Sequence, residues 1–508
     1  MSLWRIFRRT STRKPTTLAV LVSIEPNVDR NSHVATDTLV INESAKDSYD
    51  WARQWYALAF VDYLDPKVPH SKELLGVRLV LWKDGEGRWR CFEDKCPHRL
   101  APLSEGRIEP SDGTLMCSYH GWRFDGDGKC TDIPQSLDPK ANAAACNNPR
   151  SCATARPTKV VQNMIFVWGS SSPGAAEDAE ATPVPVISDL EPYYRELPYG
   201  FEVLAENLLD PSHLPFAHHG VLNRRDDDKA GYFHMSIRDN QESDQDVVTA
   251  SAESVRPIVG DIQKRRFEFR PPGQLQWHTF FSQQPESGEP WLNLLSFHLV
   301  PNGPGKSSVL FSGFFVEKGF NALPPKIKLR RLRPKWWSHA FTHNIFDGDS
   351  KILYLQERVL VEENVSHSSL SAWWRGYYMP AQADRLVAGF RKWLDVRGGG
   401  GPPTRLIKPL PAYDDKESRL LDRYNMHTRH CPYCLGAVRG FKLLQIASAA
   451  LGIMSLLIFS IVLGRGASPI NVAPLISLAG ALACVVAWKI ATEVSKRFHF
   501  VGYNHSAK

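Results

Sequence analysis

The chain has 508 residues, 43% of them hydrophobic, 23% charged and 11% aromatic. At roughly 100 to 200 residues per domain this leaves room for two to four domains, and it excludes wholesale disorder and collagen-like structure. Of the formal charge of +7, five units sit in residues 1–24, where Arg5, Arg8, Arg9, Arg13 and Lys14 meet no acid; the +2 left after subtracting them is a poor footprint for nucleic acid, so no nucleic-acid partner is expected.

Residues 1–50 are expected to be a targeting segment or a disordered tail, because their first 24 residues are rich in Arg, Ser and Thr and free of Asp and Glu. From 51 to 170, short β-type runs alternate with Gly and Pro turns, as in LLGVRLVLWKDGEGRWRCFED, which predicts a compact antiparallel β domain. Residues 171–187 shift to small residues, acids and proline and read as a linker. The segment 188–396 mixes strand and helix patterns, an α+β domain. Near its end Leu386, Val387, Phe390, Trp393 and Leu394 share one face at helical spacing. Residues 397–440 form a second linker, opened by RGGGGPP and carrying Cys431-Pro432-Tyr433-Cys434.

Two uncharged runs follow, 443–463 and 467–488, separated by Gly464, Arg465 and Gly466. About 20 such residues span a bilayer core, so 441–492 reads as a transmembrane hairpin, followed by a tail over 493–508. Arg429, Arg439 and Lys442 precede the pair and Lys489, Lys496 and Arg497 follow it, which places both ends on the cytosol-like side. Pro469 and Pro474 blur the start of the second span.

Nine unevenly spaced cysteines do not make a disulfide framework, but some stand beside histidine. Cys96-Pro97-His98 and Cys117-Ser118-Tyr119-His120 each offer one thiolate and one imidazole from one loop. A [2Fe-2S] cluster of the Rieske type takes two Cys on one iron and two His on the other. A closed zinc site uses the same ligand types, but its usual C-x₂₋₄-C or H-x₃₋₅-H spacings differ from these mixed loops.

These loops, CPHRLAPLSEG and CSYHGWRF, resemble those of Rieske-type non-haem iron oxygenases, and with FDGDGKCTDIPQ downstream the likeness is to the plant and algal pheophorbide a oxygenase branch. The resemblance implies a Rieske β domain, a helix-grip-like α+β catalytic domain and a membrane anchor. It also implies a mononuclear non-haem Fe(II). The run Asn207 to His218 is similar to the family's N-x₂-D-x₂-H-x₄-H motif, making His213 and His218 the expected imidazole ligands with His219 as rival to His218. Five residues apart, the pair would sit some 140° apart on a regular helix, so a helix end or distortion is expected near Pro215. FDGDSKILYLQE resembles the family's F-x₂-D-x₆-Q pattern on Phe346, Asp349 and Gln356; Asp349 is the expected third ligand and Asp347 its competitor. His339 and His343, at i and i+4 on an expected helix, could form a metal pair by themselves; they match no family position and are expected to pack or to face substrate.

By the same resemblance Asp210 bridges His213 and His120, the latter from a neighbouring subunit of a homotrimer; the plain alternative is a helix cap. Further expectations are O₂, a chlorophyll-derived tetrapyrrole substrate, ferredoxin or a similar reductase as donor, and thioredoxin control through Cys431 and Cys434. The expected location is a chloroplast membrane, inner envelope or thylakoid, with the catalytic domains on the stromal side. The branch leaves three activities open: a pheophorbide a oxygenase-like enzyme, a chlorophyllide or protochlorophyllide oxygenase-like enzyme, and a redox-sensing protein of an envelope translocation complex.

Overall fold

The computed structural model describes residues 49–185, 192–222, 224–226, 233–238, 247–254, 262–281, 291–315, 332–363, 376–404 and 409–505. The basic N-terminal stretch expected to be a targeting segment lies outside them.

The first part is all antiparallel β. Strand β1 (Trp55–Phe60) is buried along its whole length, and three small sheets follow from β2 (His70–Leu74), β3 (Val77–Lys83), β4 (Trp89–Glu93), β5 (Arg107–Ile108), β6 (Leu115–Met116), β7 (Arg123–Phe124), β8 (Cys130–Asp132), β9 (Ala155–Arg156), β10 (Thr158–Val161) and β11 (Met164–Trp168). Their orders are β1-β11-β10, β2-β3-β4-β9 and β5-β6-β7-β8. Helix α1 (Pro139–Cys146) begins with proline, and the Asp138 carboxylate accepts from the Lys140 and Ala141 amides, satisfying orphan donors of its first turn.

The stretch expected to be a linker is partly structured. Ala175 and Ala179, spaced i and i+4 in α2 (Ala175–Ala181), are buried, and Trp55 Nε1 donates to Ala179 O at 3.2 Å. An alanine stripe lets a short helix lie flat on β1, a packing signal that composition alone hides.

The second part is one antiparallel seven-stranded sheet: β12 (Pro192–Leu197), β13 (Phe233–Arg238), β14 (Val248–Ser254), β15 (Ile262–Arg270), β16 (Gln274–Phe281), β17 (Trp291–Gly303) and β18 (Lys306–Phe315), ordered β12-β18-β17-β16-β15-β14-β13. Several strands are longer than the short runs expected, β17 reaching 13 residues with register shifts along its pairing to β18. Helices α3 (Phe201–Leu209), α4 (Leu214–Ala217), α5 (Lys335–Glu362) and α6 (Arg385–Val396) complete this part. All five apolar residues expected on one face of α6 are buried. The long α5 crosses β12, where Tyr193 Oη and His343 Nδ1 are 2.9 Å apart. One apolar core runs through both parts, from Trp55 and Phe166 to Phe267, Leu299 and Leu386, while a smaller one around Val80, Trp82, Phe92 and Phe124 backs the cysteine loops.

After a short α7 (Glu417–Leu420) and a π-helical turn over Tyr424–Thr428, α8 (Pro432–Gly464) and α9 (Val472–Lys496) form an antiparallel hairpin. Both are long and apolar enough to cross a membrane. Small residues let them approach: a Cβ on Gly452 would lie 3.3 Å from Cys484 Cβ, the close packing typical of spans in lipid, where apolar burial alone gives no driving force. The second helix starts at Val472, five residues after the expected 467, beyond Pro469.

Candidate metal centres

The two Cys–His loops are built alike. Cys96 N donates to Ala101 O and Cys117 N to Trp122 O, while Leu100 N returns to Cys96 O and Gly121 N to Cys117 O. Each loop turns through positive φ at the same place, Leu100 at 61° and Gly121 at 76°, a conformation that favours glycine and is strained for leucine. Each sulfur accepts from two following backbone amides, His98 and Arg99 for Cys96, Tyr119 and His120 for Cys117. A hydrogen bond from Cys96 and these amides pull the Cys117 thiol down to about 6. Cys96 and Cys117 are buried, whereas His98 is exposed and His120 half-buried with its ring 4.6 Å from that of His98. His98 also stacks on Trp122 at 4.7 Å. Thiols inward and imidazoles outward, with amides aimed at sulfur, fit the two halves of a Rieske cluster.

The second centre forms where α3 ends. Asp210 terminates α3 and caps a 3₁₀ turn over Pro211–His213, accepting from Ser212 N at 2.7 Å and Ser212 Oγ at 2.5 Å. The chain then enters the one-turn α4, so His213 and His218 stand at its two ends. This break near Pro215 brings the rings to 5.2 Å between centroids. From α5, Asp349 places Oδ2 at 3.3 Å from His218 Nε2 and Oδ1 at 3.9 Å from His213 Nε2. Donor atoms of His213, His218 and Asp349 all lie within 4.8 Å of one another.

His218 is fully buried, yet neither ring nitrogen has a hydrogen-bond partner, and His213 Nδ1 has none either. Buried polar atoms are otherwise almost always paired, so this donor set fits the facial two-histidine, one-carboxylate grip of non-haem Fe(II). The rivals face elsewhere: His219 Nδ1 accepts from Arg225 N, and Asp347 is clasped by Arg195 at 2.5 Å and Arg423 at 2.6 Å. Asp210 Oδ2 is 3.9 Å from His213 Nδ1, too long for a hydrogen bond; within one chain Asp210 acts as a cap.

Other residues at this centre escaped the sequence reading. A Cβ on Gly348 would meet His218 Nδ1 at 2.9 Å and Tyr503 Oη at 3.0 Å. Tyr503, in the expected C-terminal tail, donates to Ala217 O at 2.7 Å, and His505 Nε2 lies 2.8 Å from Gly348 O. A cavity of about 380 Å³ adjoins the centre, lined by His213, Asp349, Leu353, Gln356, Tyr377 and Met379 among others. Its wall is braced by Tyr377 Oη donating to Glu206 at 3.0 Å and by Arg391, which binds both Glu206 and Glu202.

Cys431 and Cys434, expected to be a redox-regulatory pair, stand at the start of α8 and are both 0% exposed.

A Rieske [2Fe-2S] domain model matches residues 54–142 and a pheophorbide a oxygenase model matches 269–366. Pheophorbide a oxygenase of Oryza sativa subsp. japonica is 33% identical over 507 residues, covering 96% of this chain and 90% of the relative. Flavonoid 8-hydroxylase 2 of Ocimum basilicum is 31% identical, covering 92% and 88%. Among solved structures, dicamba monooxygenase bound to dicamba superposes with a TM-score of 0.52 at 20% identity, covering 69% of this chain and 98% of that one, a likeness of fold. The chain belongs to the Rieske-type non-haem iron oxygenases, in the branch of pheophorbide a oxygenase.

Proposed function

We propose that the chain is a membrane-anchored oxygenase that uses O₂ and electrons from ferredoxin or a similar reductase to oxygenate a chlorophyll-derived tetrapyrrole, with pheophorbide a as the favoured substrate. The observation that carries this reading is the cavity beside His213 and Asp349, lined by Leu353, Tyr377, Tyr378 and Met379, in a chain whose most similar relatives include an enzyme named for that substrate. Its volume falls in the range of small-molecule sites, and the apolar hairpin suits a lipophilic substrate supplied from a bilayer.

When bound, a Rieske cluster and a mononuclear iron supply electron transfer and O₂ activation. Cys96, His98, Cys117 and His120 would hold the first, and His213, His218 and Asp349 the second. Gly348 keeps room for the His218 ring, and the Glu206, Tyr377 and Arg391 network holds the cavity wall in place. Asp210 is assigned to the route between centres, reaching from His213 to His120 of a neighbouring copy in a homotrimer. The exposure of His98 and the outward face of His120 support such an encounter, and they equally suit docking of the donor. The proposed location is a chloroplast membrane, with the catalytic domains on the stromal side, supported by the basic residues flanking both helices.

The test is anaerobic reconstitution with ferredoxin and its reductase, followed by exposure to isotope-labelled O₂ with pheophorbide a, chlorophyllide a, protochlorophyllide and a flavone. Label in the pheophorbide a product is expected. Label only in the flavone, or electron uptake with no labelled organic product, overturns the reading, the latter in favour of a redox relay.

A further inference from the structure

The motif Cys431-Pro432-Tyr433-Cys434 takes no part in either iron centre, yet it is not idle in the fold. The π-helical turn just before it swings His427 inward, and α5 brings His339 from 92 residues upstream. Donor atoms of His339, His427, Cys431 and Cys434 all lie within 4.8 Å of one another, and all four residues are buried. We propose that these four residues form a closed tetrahedral zinc site, separate from both iron centres, that clamps the base of the membrane hairpin to α5.

The distances are those of ligands around one ion. His339 Nδ1 is 3.4 Å from each sulfur, and His427 Nε2 is 3.3 Å from Cys434 Sγ. Zinc bonds of about 2.3 Å to sulfur and 2.0 Å to nitrogen set tetrahedral S···N edges of about 3.5 Å. The ring of His427 is oriented for this: its Nδ1 lies 2.5 Å from Tyr194 O, which only an N–H can bond, so Nε2 turns its lone pair toward the sulfurs. An imidazole fixed from behind by a backbone carbonyl is the usual support of a zinc ligand. Tyr193 stacks on the same ring at 4.5 Å. Two thiolates would neutralise the divalent charge in this buried place, and four protein ligands leave no open position, the mark of a structural rather than a catalytic site.

The clamp has a mechanical consequence. Helix α5 offers His339 to this site and Asp349 to the other, ten residues along, or about 15 Å of helix rise. The site thus fixes the register between the membrane anchor and the helix that carries the iron carboxylate. This inference does not depend on which substrate the enzyme oxygenates.

The test uses the full chain without an affinity tag, solubilised in detergent and dialysed against a chelator, with zinc and iron counted by elemental mass spectrometry. About one zinc per chain is expected beside the iron, against about a tenth or less in Cys434→Ser and His427→Gln, whose Rieske electron paramagnetic resonance signal persists. Should those variants fail to fold, wild-type protein grown with cobalt decides: tetrahedral thiolate-to-cobalt absorption bands are expected. Wild-type protein with full iron and no zinc, without those cobalt bands, or with Cys431 and Cys434 joined in a disulfide in freshly purified material overturns the site.

Discussion

Two carboxylates two residues apart on α5 have opposite employments. Asp349 and Asp347 point to opposite flanks because two helical steps turn about 200°. Asp349 faces His213 and His218, while Asp347 is fully buried between Arg195 and Arg423. Arg423 also donates to Asn344 Oδ1 at 2.9 Å and Arg497 O at 2.8 Å, so Asp347 ties α5 to β12, to the segment before the hairpin and to the end of α9. The two substitutions should therefore separate cleanly. Asp349→Asn is expected to abolish mononuclear iron binding and oxygenation while leaving the Rieske signal and the thermal unfolding midpoint near those of the parent. Asp347→Asn leaves two buried guanidinium groups short of countercharge, and breaking such a pair costs about 3–5 kcal/mol; its unfolding midpoint should drop sharply, with the remaining folded fraction still holding iron. Equal unfolding midpoints in the two variants would show that Asp347 is no anchor. That Asp349 lies beside the two histidines was the expectation from F-x₂-D-x₆-Q. The arginines that occupy Asp347, 152 and 76 residues away, were not legible in the sequence, since no local spacing announces a long-range ion triad.

Elements rather than single residues decide how the two parts of the molecule hold together. Strand β17 carries His298, buried, its ring edge-on to Phe166 of β11 at 5.5 Å. Burial pushes the His298 imidazole down to about 3, and its Nε2 has no hydrogen-bond partner. A histidine whose folded value lies below its unfolded 6.5 contributes stability that is complete above pH 6.5 and is lost as pH falls toward 3. At pH 5 the loss is about 2 kcal/mol. His298→Leu keeps an apolar body at the junction and removes the titration, so the fall in unfolding midpoint between pH 7.5 and pH 5, read by calorimetry, should be smaller in the variant than in the parent. An equal fall would place the acid sensitivity elsewhere. At this scale the sequence announced α6 and both hairpin helices, because their apolar faces recur in short windows. It did not announce α2, whose alanines resemble linker composition, nor the meeting of His339 with His427, which requires the π-helical turn and the lie of α5 over β12.

At the scale of the whole molecule, His98 of the first centre is exposed and His120 half-buried, while His218 and Asp349 of the second are buried. Asp210, capping its own turn, sits 3.9 Å from His213 with the second oxygen unused by Ser212. Both features are consistent with electrons arriving from another copy, and a ring of identical chains makes this a matter of counting. Take Cys117→Ser, expected to lose the cluster, and Asp349→Ala, expected to lose the iron; each alone is then expected to be inactive. In a closed heterologous ring every chain donates to one neighbour and accepts from the other. If the two variants are co-expressed in equal amounts and assemble at random, a junction works only when an intact cluster meets an intact iron site, which happens at about a quarter of junctions. The co-expressed preparation as a whole should then recover about a quarter of parental oxygenation per chain, whereas variants purified apart and mixed without subunit exchange should recover none. If electrons instead travel inside one chain, no mixing protocol restores activity, because each chain lacks one end of its own route.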